Sequence, residues 1–278
     1  VGLGFGAFER AGVGSAWPFE FPKLPAYPTI DQLDPRWCDG DLVLQVCADD
    51  ALSVAHAVRE LVKDLAPFAS VHWIQRGFAH GAGVNPGQTP RNLFGMREGI
   101  DNPKPGEQAF IDTVWNQGEQ QSWFRNGTAM VVRRIRMDLD RWESLKPADQ
   151  ELVFGRRRST GAPLTGLAET DAPDFEVKRF GELVIPESAH IRRASIPENL
   201  LRRPFNFDDG FTADGIADHG LLFIAFCAEL SQYLKIQTRL AEYDALNRWT
   251  TPVGSALFAV LPGVSEEGQW LGQSLFEG

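Results

Sequence analysis

The sequence predicts an α+β fold built from antiparallel sheets and helices. Apolar runs that are typical of buried strands alternate with segments of helical periodicity, and two of these runs resemble each other. Residues 41–49 and 220–229 each end in Cys-Ala followed by an acid, and a helical pattern follows both. With 278 residues, of which 43% are hydrophobic, the chain can bury the core that such a fold needs.

The N-terminal part begins with the apolar, glycine-rich residues 1–6, which we expect to be a strand already under way. The strand of residues 41–49 leads into a helix over residues 51–65, N-capped by one of the two aspartates before it, and a strand over residues 70–75 follows. This half lacks an opening strand and helix, so we expect an upstream segment to supply them. Without that segment, the open sheet edge is expected to aggregate or pair.

The C-terminal part is predicted to contain strands over residues 128–137, 220–229 and 255–261, and helices over about 140–154 and from 230 to about 246. Together these elements indicate a βαββαβ unit, which is the ferredoxin-like arrangement. The predicted architecture is therefore two ferredoxin-like halves with packed antiparallel sheets, of the dimeric α/β-barrel type, with an incomplete N-terminal half. We place the halves at residues 1–105 and 106–278.

Two long segments are rich in glycine and in other residues that are typical of loops. They cover residues 81–105, between the halves, and 159–187, before a histidine-containing segment that we expect to be strand-like. Long loops in a compact domain tend to carry function, so the candidate site is sought there.

Composition excludes several classes of partner. A formal net charge of −10 at pH 7 argues against nucleic acid and against docking on anionic membranes, because both need a cationic surface. No run of 18 apolar residues exists, so no membrane span is expected. The three cysteines are an odd number without CxxC spacing, which argues against a zinc site or a disulfide framework.

One histidine, one acid and one arginine stand out by their setting. His190 lies in Ala-His-Ile-Arg-Arg-Ala-Ser, Glu98 lies at the centre of the glycine-bounded loop Gly-Met-Arg-Glu-Gly, and Arg202 follows His190 by twelve residues. These are the parts that a haem peroxidase needs, since the histidine holds iron while the acid and the arginine act on bound peroxide. Spacing alone does not choose His190 from the five histidines.

In these segments the chain resembles the dye-decolourising peroxidases, and it is most similar to the secreted actinobacterial type. The resemblance covers nearly the whole chain and includes further matches at residues 131–136, 154–156, 161–164, 220–226 and 244–247. Glu98 departs from the family pattern, which has aspartate at the centre of this loop. Since the two acids have similar reference pKa values and differ by one methylene, the departure concerns reach more than chemistry.

The resemblance implies a role for each candidate. His190 would be the axial ligand, with Asp244 or Asn247 accepting a hydrogen bond from its other nitrogen. Glu98 would shuttle the peroxide proton, with Asp101 as a lower-ranked alternative, and Arg202 would stabilise developing negative charge.

Further residues would bind the cofactor itself. Phe223 would form the apolar wall beside the peroxide, and Gly99 belongs to the acidic loop. The haem propionates need cationic partners, for which five arginines are candidates: Arg133, Arg134, Arg156, Arg192 and Arg193. Because the chain has no CxxCH motif, haem b would be held non-covalently.

The expected function is that of a haem-dependent peroxidase, which reduces hydrogen peroxide and oxidises dyes, phenols or other organic donors by one-electron steps. Two alternatives stay open: release of iron from haem, as in deferrochelatase-like proteins, and a haem-binding carrier or sensor with weak peroxidase activity. Homo-oligomerisation is possible. The resemblance implies secretion, and a cytoplasmic location is the alternative.

Overall fold

The computed structural model describes residues 1–79 and 88–277. In these residues the strands are β1 (Gly2–Leu3), β2 (Leu42–Val43), β3 (Thr128–Met137), β4 (Lys178–Arg179), β5 (Glu182–Leu183), β6 (Leu201–Arg202), β7 (Phe205–Phe211), β8 (Ala217–Cys227) and β9 (Thr250–Val260). The helices are α1 (Phe5–Arg10), α2 (Ala51–Leu65), α3 (Gln108–Val114), α4 (Leu139–Glu143), α5 (Pro147–Phe154), α6 (His190–Ala194), α7 (Leu230–Tyr243) and α8 (Gln273–Glu277). Short 3₁₀ helices lie at Gly14–Ala16, Pro35–Trp37, Ser122–Phe124 and Ala245–Arg248.

A seven-stranded sheet organises the molecule. Its order is β2-β1-β9-β3-β8-β6, and β7 also pairs with β8. All of these pairings are antiparallel. The central strand β3 is buried on both faces over most of its length, which explains why its residues 129–132 are apolar without alternation.

The C-terminal half has the ferredoxin-like arrangement. Its elements follow one another as β3, α4 with α5, β7, β8, α7 and β9, and the spatial order of the four strands is β9-β3-β8-β7. The predicted α+β class with an antiparallel sheet is therefore confirmed. The predicted boundary between the halves, at residues 105 and 106, stays a prediction. Both halves contribute strands to the same sheet, because β1 from the N-terminal half pairs directly with β9.

The predicted helix over residues 140–154 is two helices. α4 ends at Glu143 and α5 begins at Pro147. A proline ring fits the first turn of a helix but blocks continuation from the turn before it, and the preceding Lys146 is extended. The break is thus a local consequence of Pro147.

The histidine segment is also helical, where we expected a strand. α6 runs from His190 to Ala194, and the carbonyl of Ala189 accepts the N–H groups of Arg192 and Arg193. The backbone is satisfied by local hydrogen bonds, so the segment needs no neighbouring strand.

The N-terminal half keeps its predicted helix but little of its predicted sheet. Helix α2 has the predicted limits, and the Asp50 carboxylate caps it by accepting the Ser53 N–H at 2.8 Å. The predicted strand over residues 41–49 is reduced to Leu42–Val43, and residues 70–75 form no strand with any part of the described chain. Side chains hold this last segment instead, with the Trp73 indole donating to the Asp39 carbonyl at 2.8 Å.

Apolar side chains pack on both faces of the sheet. On one face Val131 and Ala225 belong to a cluster covered by α7 and α1, and on the other face Val132 and Ile224 belong to a second cluster. A third cluster joins Phe94, Met96, Trp142, Phe154, Leu221 and Trp249, which brings the acidic loop against α5 and β8. Across residues 1–79 and 88–277, no helix combines the length and the apolar character that a membrane crossing requires.

Candidate active site

His190 is held by a buried carboxylate. Its Nδ1 lies 2.6 Å from Asp244 Oδ2, and the Asp244 side chain is 3% exposed. The second carboxylate oxygen, Oδ1, accepts the Leu246 N–H at 2.9 Å, where Asp244 caps the 3₁₀ helix Ala245–Arg248. Since a carboxylate only accepts hydrogen bonds, Nδ1 carries the proton and Nε2 keeps its lone pair for a metal. Asn247, the alternative acceptor, instead donates to the Leu240 carbonyl.

His190 lines an internal opening. It is enclosed by protein, yet 32% of its side-chain surface remains accessible. Burial opposes its protonation, but the hydrogen-bonded Asp244 carboxylate and, more weakly, Glu98 raise the pKa of His190 above its ordinary value, while Arg202 acts against this. The charges of Glu98 and Arg202 therefore both act on the His190 ring.

An aromatic bridge connects His190 to the acidic loop. The Phe154 ring meets the His190 ring edge-on at a centroid distance of 5.7 Å. Phe154 also contacts Phe94, at 6.1 Å, and Trp142, at 5.6 Å. Phe94 opens the loop that carries Glu98, so the end of α5 fixes the histidine and the acid relative to each other.

The acidic loop is closed by Asn92. Its backbone N–H donates to the Met96 carbonyl at 2.9 Å, and its side-chain Oδ1 accepts the Met96 N–H at 3.1 Å. Gly95 lies in the turn with a φ of +79°, where a side chain would be strained and would meet the Arg158 guanidinium. The Asn92 amide then donates from Nδ2 to Glu98 Oε1 at 2.6 Å.

A second asparagine ties the loop to Arg202. Gly99, with a φ of +84°, turns the chain so that the Asn102 side chain can bond both the N–H and the carbonyl of one residue of β6. Asn102 Nδ2 donates to the Arg202 carbonyl at 2.7 Å, and its Oδ1 accepts the Arg202 N–H at 3.0 Å. A Cβ on Gly99 would lie 3.0 Å from Asn102 Nδ2, so a side chain there would press on this contact. Whether Gly99 contacts the cofactor stays a prediction.

Arg202 faces inward, whereas its neighbour faces solvent. Arg202 is half-buried and Arg203 is exposed, as the alternation of an extended segment requires. No residue in the described ranges forms a hydrogen bond or ion pair with the Arg202 guanidinium, so this cation is available to an anion in the opening. Asp101 belongs to a different contact, since it pairs with Arg156 at 2.9 Å and its side chain is 61% exposed.

Phe223 is half-buried between two buried neighbours of β8, Leu222 and Ile224. It contacts both the cluster under α7 and the cluster that contains Phe94. Its role as an apolar wall beside the peroxide stays a prediction.

The structure does not bring Arg192 into this group. Its guanidinium donates to the Phe175 carbonyl at 2.6 Å, pairs with Glu176 at 3.4 Å and lies over the Phe175 ring. The reason is the helical form of α6: residues two apart on a helix point about 200° apart, whereas on a strand they would share a face.

The other candidate arginines also have protein partners. Arg133 and Arg134 face opposite sides of the sheet, where Arg133 pairs with buried Asp31 and Arg134 pairs with Asp218 at 2.9 Å. Arg193 donates to the Arg239 carbonyl and pairs with Glu242 at 3.2 Å.

Sequence reasoning missed Asn92 and Asn102. Asparagine next to a glycine-containing turn is typical of a side chain that closes a loop, and this signal was present for both residues. Their partners, however, depend on the folded chain, since Asn102 and Arg202 are 100 residues apart.

His190, with its Nδ1 held by Asp244, is linked by packing and hydrogen bonds to the segments that carry Glu98 and Arg202. Comparisons with known proteins identify the family. The chain matches the family "Dyp-type peroxidase, N-terminal" over residues 1–79 and "Dyp-type peroxidase, C-terminal" over residues 89–265. The chain therefore belongs to the Dyp-type peroxidases, a class of haem-dependent oxidoreductases.

Individual relatives give the same assignment. The chain is 40% identical to the dye-decolorizing peroxidase of Thermobifida fusca over 100% of its own length and 67% of the relative's. It is 36% identical to a deferrochelatase of Yersinia pseudotuberculosis, over 97% of this chain and 64% of that protein. The chain thus spans about two thirds of the length of these relatives.

Solved structures are similar along the whole chain. A DyP-type peroxidase from Cellulomonas bogoriensis superposes with a TM-score of 0.93 at 45% identity, covering 100% of this chain and 78% of that one. Ferric DtpA from Streptomyces lividans gives a TM-score of 0.92 at 41% identity, covering 100% and 77%.

Haem is the cofactor of this class, and the residues present fit it. His190 Nε2 keeps its lone pair because Nδ1 bonds Asp244, the Arg202 guanidinium has no partner among residues 1–79 and 88–277, and Phe154 packs edge-on against the His190 ring. None of the three cysteines is positioned in a haem-attachment motif, which agrees with non-covalent binding.

Proposed function

We propose that this chain reduces hydrogen peroxide and oxidises organic donors, such as dyes or phenols, in one-electron steps. The observation that carries the proposal is the set of contacts that joins the three residues: Phe154 packs on the His190 ring and on Phe94 of the acidic loop, and Asn102 bonds the backbone of Arg202. When bound, haem supplies the iron that takes up peroxide and stores two oxidising equivalents until donors return two electrons.

The chain's own residues would perform four tasks. His190 holds the cofactor through Nε2, and Asp244 fixes its tautomer and orientation. Glu98 accepts a proton from one peroxide oxygen and returns it to the other, so that the O–O bond breaks and one oxygen leaves as water. Arg202 stabilises the negative charge that develops as this bond breaks.

The test is the absorption spectrum of the haem-loaded protein before and after one equivalent of peroxide, followed by turnover of a dye. We expect a rapid spectral change and dye oxidation well above that of free haem, both slowed by Glu98→Gln by about 10²–10⁴-fold. A protein that binds haem but oxidises no more dye than free haem would instead be a carrier or sensor.

Iron release is a second candidate, because relatives at 36% identity carry the name deferrochelatase. Incubation with haem under reducing conditions distinguishes the two functions. Release of iron leaves metal-free porphyrin, which fluoresces, whereas a peroxidase leaves the cofactor intact in the absence of peroxide.

We also propose self-association. Four large apolar side chains in and after α2 are exposed: Leu52 (81%), Phe68 (86%), Val71 (54%) and Ile74 (47%). Exposed apolar surface of this kind favours association. Sedimentation at two concentrations should show a dimer or higher oligomer that the double variant Val71→Lys/Ile74→Lys weakens; a monomer at both concentrations contradicts the proposal.

For location we propose secretion, which is supported by the resemblance to the secreted actinobacterial type. Fractionation of the source cells, followed by detection with an antibody, separates this proposal from a cytoplasmic location.

A further inference from the structure

Asn92 is a buried amide whose orientation is fixed by the loop that it closes. It is 6% exposed. Its Oδ1 accepts the Met96 N–H at 3.1 Å, so this atom must be the oxygen and the other must be the nitrogen. The nitrogen donates to Glu98 Oε1 at 2.6 Å. Loop closure therefore aims a hydrogen-bond donor at the carboxylate.

We propose that Asn92 is the positioning residue for Glu98, an inference that rests on the proposed peroxidase function. With Oε1 held by the amide, Oε2 is the oxygen left to exchange a proton with peroxide. Asn92 thus fixes the orientation of the Glu98 carboxylate.

The length of Glu98 is part of this arrangement. The backbone at residue 98 is anchored, because the Glu98 N–H donates to the Pro90 carbonyl at 2.9 Å. Removing one methylene withdraws the carboxylate by about 1.5 Å, the length of a carbon–carbon bond, which breaks a contact of 2.6 Å. Asn92 and Glu98 therefore form a matched pair, in which the glutamate reaches a donor that an aspartate on the same backbone does not reach.

The test uses the haem-loaded chain and the rate constant of its reaction with hydrogen peroxide, measured across pH. Asn92→Asp preserves the shape and an acceptor for the Met96 N–H, but it replaces the donor with a second carboxylate oxygen. We expect the rate at neutral pH to fall by about 10- to 100-fold, a part of the general acid–base contribution. The pH profile should move to higher pH, since repulsion by the new carboxylate disfavours the ionised form of Glu98.

The chain offers a matched control in Asn116. This asparagine also donates from Nδ2 to a glutamate, Glu229, at 2.8 Å, while its Oδ1 accepts a backbone N–H, that of Gly118, at 2.7 Å. Asn116→Asp makes the same chemical change outside the site and should leave the rate and its pH profile unaltered. If both variants slow the reaction equally, the effect is one of fold stability and the proposal is overturned.

Two further variants separate the possible failures. Glu98→Asp leaves the loop bonds of Asn92 intact and should lower the rate, and adding Asn92→Asp to Glu98→Gln should lower it no further. If Glu98→Gln is as fast as the parent, the proposed function of Glu98 fails. If Glu98→Gln is slow but Asn92→Asp keeps the parent rate and pH profile, only the positioning role is refuted.

Cyanide affinity provides a readout that does not depend on turnover. Hydrogen cyanide loses its proton on binding, so its affinity also depends on a proton acceptor in the site. The pH dependence of cyanide affinity, followed by absorption, should move in the same direction as the rate in Asn92→Asp. An unchanged dependence contradicts the proposal.

Discussion

Replacing Asp244 with asparagine should impair haem binding by forcing His190 into the wrong tautomer. The two Asp244 oxygens accept from two different donors, His190 Nδ1–H at 2.6 Å and Leu246 N–H at 2.9 Å. An amide has only one acceptor atom, so Asp244→Asn satisfies one donor and turns its own NH₂ toward the other. If the oxygen stays on Leu246, the NH₂ faces His190, whose Nδ1 must then become the acceptor.

The expected magnitude follows from that exchange. The neutral ring would carry its proton on Nε2, the atom that binds iron. Keeping the correct tautomer instead leaves a buried donor unsatisfied, which costs about 1–3 kcal/mol. Since 1.4 kcal/mol is about tenfold in affinity, we expect haem affinity to fall by roughly 10- to 100-fold. This range agrees with the usual effect of removing a partner of a metal-ligating histidine.

The assay is titration of the metal-free chain with haem, followed by absorption, with transfer to a haem scavenger as a kinetic check. Asp214→Asn is the control, because this exposed aspartate makes the same charge change on the β7–β8 turn. Asp244→Ala should bind haem at least as tightly as Asp244→Asn, because water can enter the space and accept the hydrogen bond from His190 Nδ1–H. An Asp244→Asn variant that binds haem as tightly as the parent would show that the tautomer of His190 is not set by this carboxylate.

Three further outcomes are expected. Arg202→Leu should slow the reaction with peroxide by about 10²–10³-fold, while Arg203→Leu, one residue on and exposed, should leave it unchanged in the same rapid-mixing assay. His190→Ala should lose haem or shift its main absorption band, and an unaltered haem content and spectrum would contradict the assignment. Burial raises the pKa of Asp218, but Arg134 and Arg136 outweigh it and hold this pKa below the ordinary value. A carboxylate with a lowered pKa stabilises the fold at pH values above its unfolded pKa of about 3.9, and this stabilisation is lost as the pH falls through the folded pKa. Asp218→Asn should therefore lower the free energy of unfolding in urea more at pH 7 than at pH 3.

Elements that depend on local interactions were predicted to within a residue or two. Helix α2 matches its predicted limits because its cap, Asp50, and its apolar spacing lie within the segment itself. Strand β3 matches because residues 129–132 form an apolar run of the kind that a strand buried on both faces accommodates. The break before α5 was not predicted, although Pro147, which can begin a helix but not continue one, was a local signal for it.

Elements that need a distant partner were predicted less well. Residues 70–75 have the composition of a strand, but a strand exists only where another backbone pairs with it, and none in the described ranges does. The histidine segment shows the converse case. Its two arginines and β-branched neighbour did not reveal that local hydrogen bonds would make α6 a helix. In this helix Arg192 bonds the Phe175 carbonyl, and its role toward the cofactor stays a prediction.

The candidate site shows why motifs predict residue types better than geometry. His190, Glu98 and Arg202 lie on three segments far apart in the sequence. His190 and Arg202 are held by residues of other segments, whereas Glu98 is held by Asn92 of its own loop. Each forms a direct hydrogen bond with a polar residue: His190 with Asp244, Glu98 with Asn92, and the backbone of Arg202 with Asn102. Catalysis by placed groups loses efficiency with errors of about 1 Å, so these contacts are as necessary as the groups that they position.

The same arrangement explains how a glutamate can occupy the place of an aspartate. A longer side chain on a flexible loop would lose conformational entropy and precision. Here the loop is closed by Asn92 and Gly95 before the side chain begins, and the added methylene is used to reach a fixed donor. Because the backbone at residue 98 is anchored to Pro90, shortening the side chain moves the carboxylate away from Asn92 instead of restoring it to the position that an aspartate would have on another backbone. The identity of the acid and the identity of the residue that holds it must therefore change together.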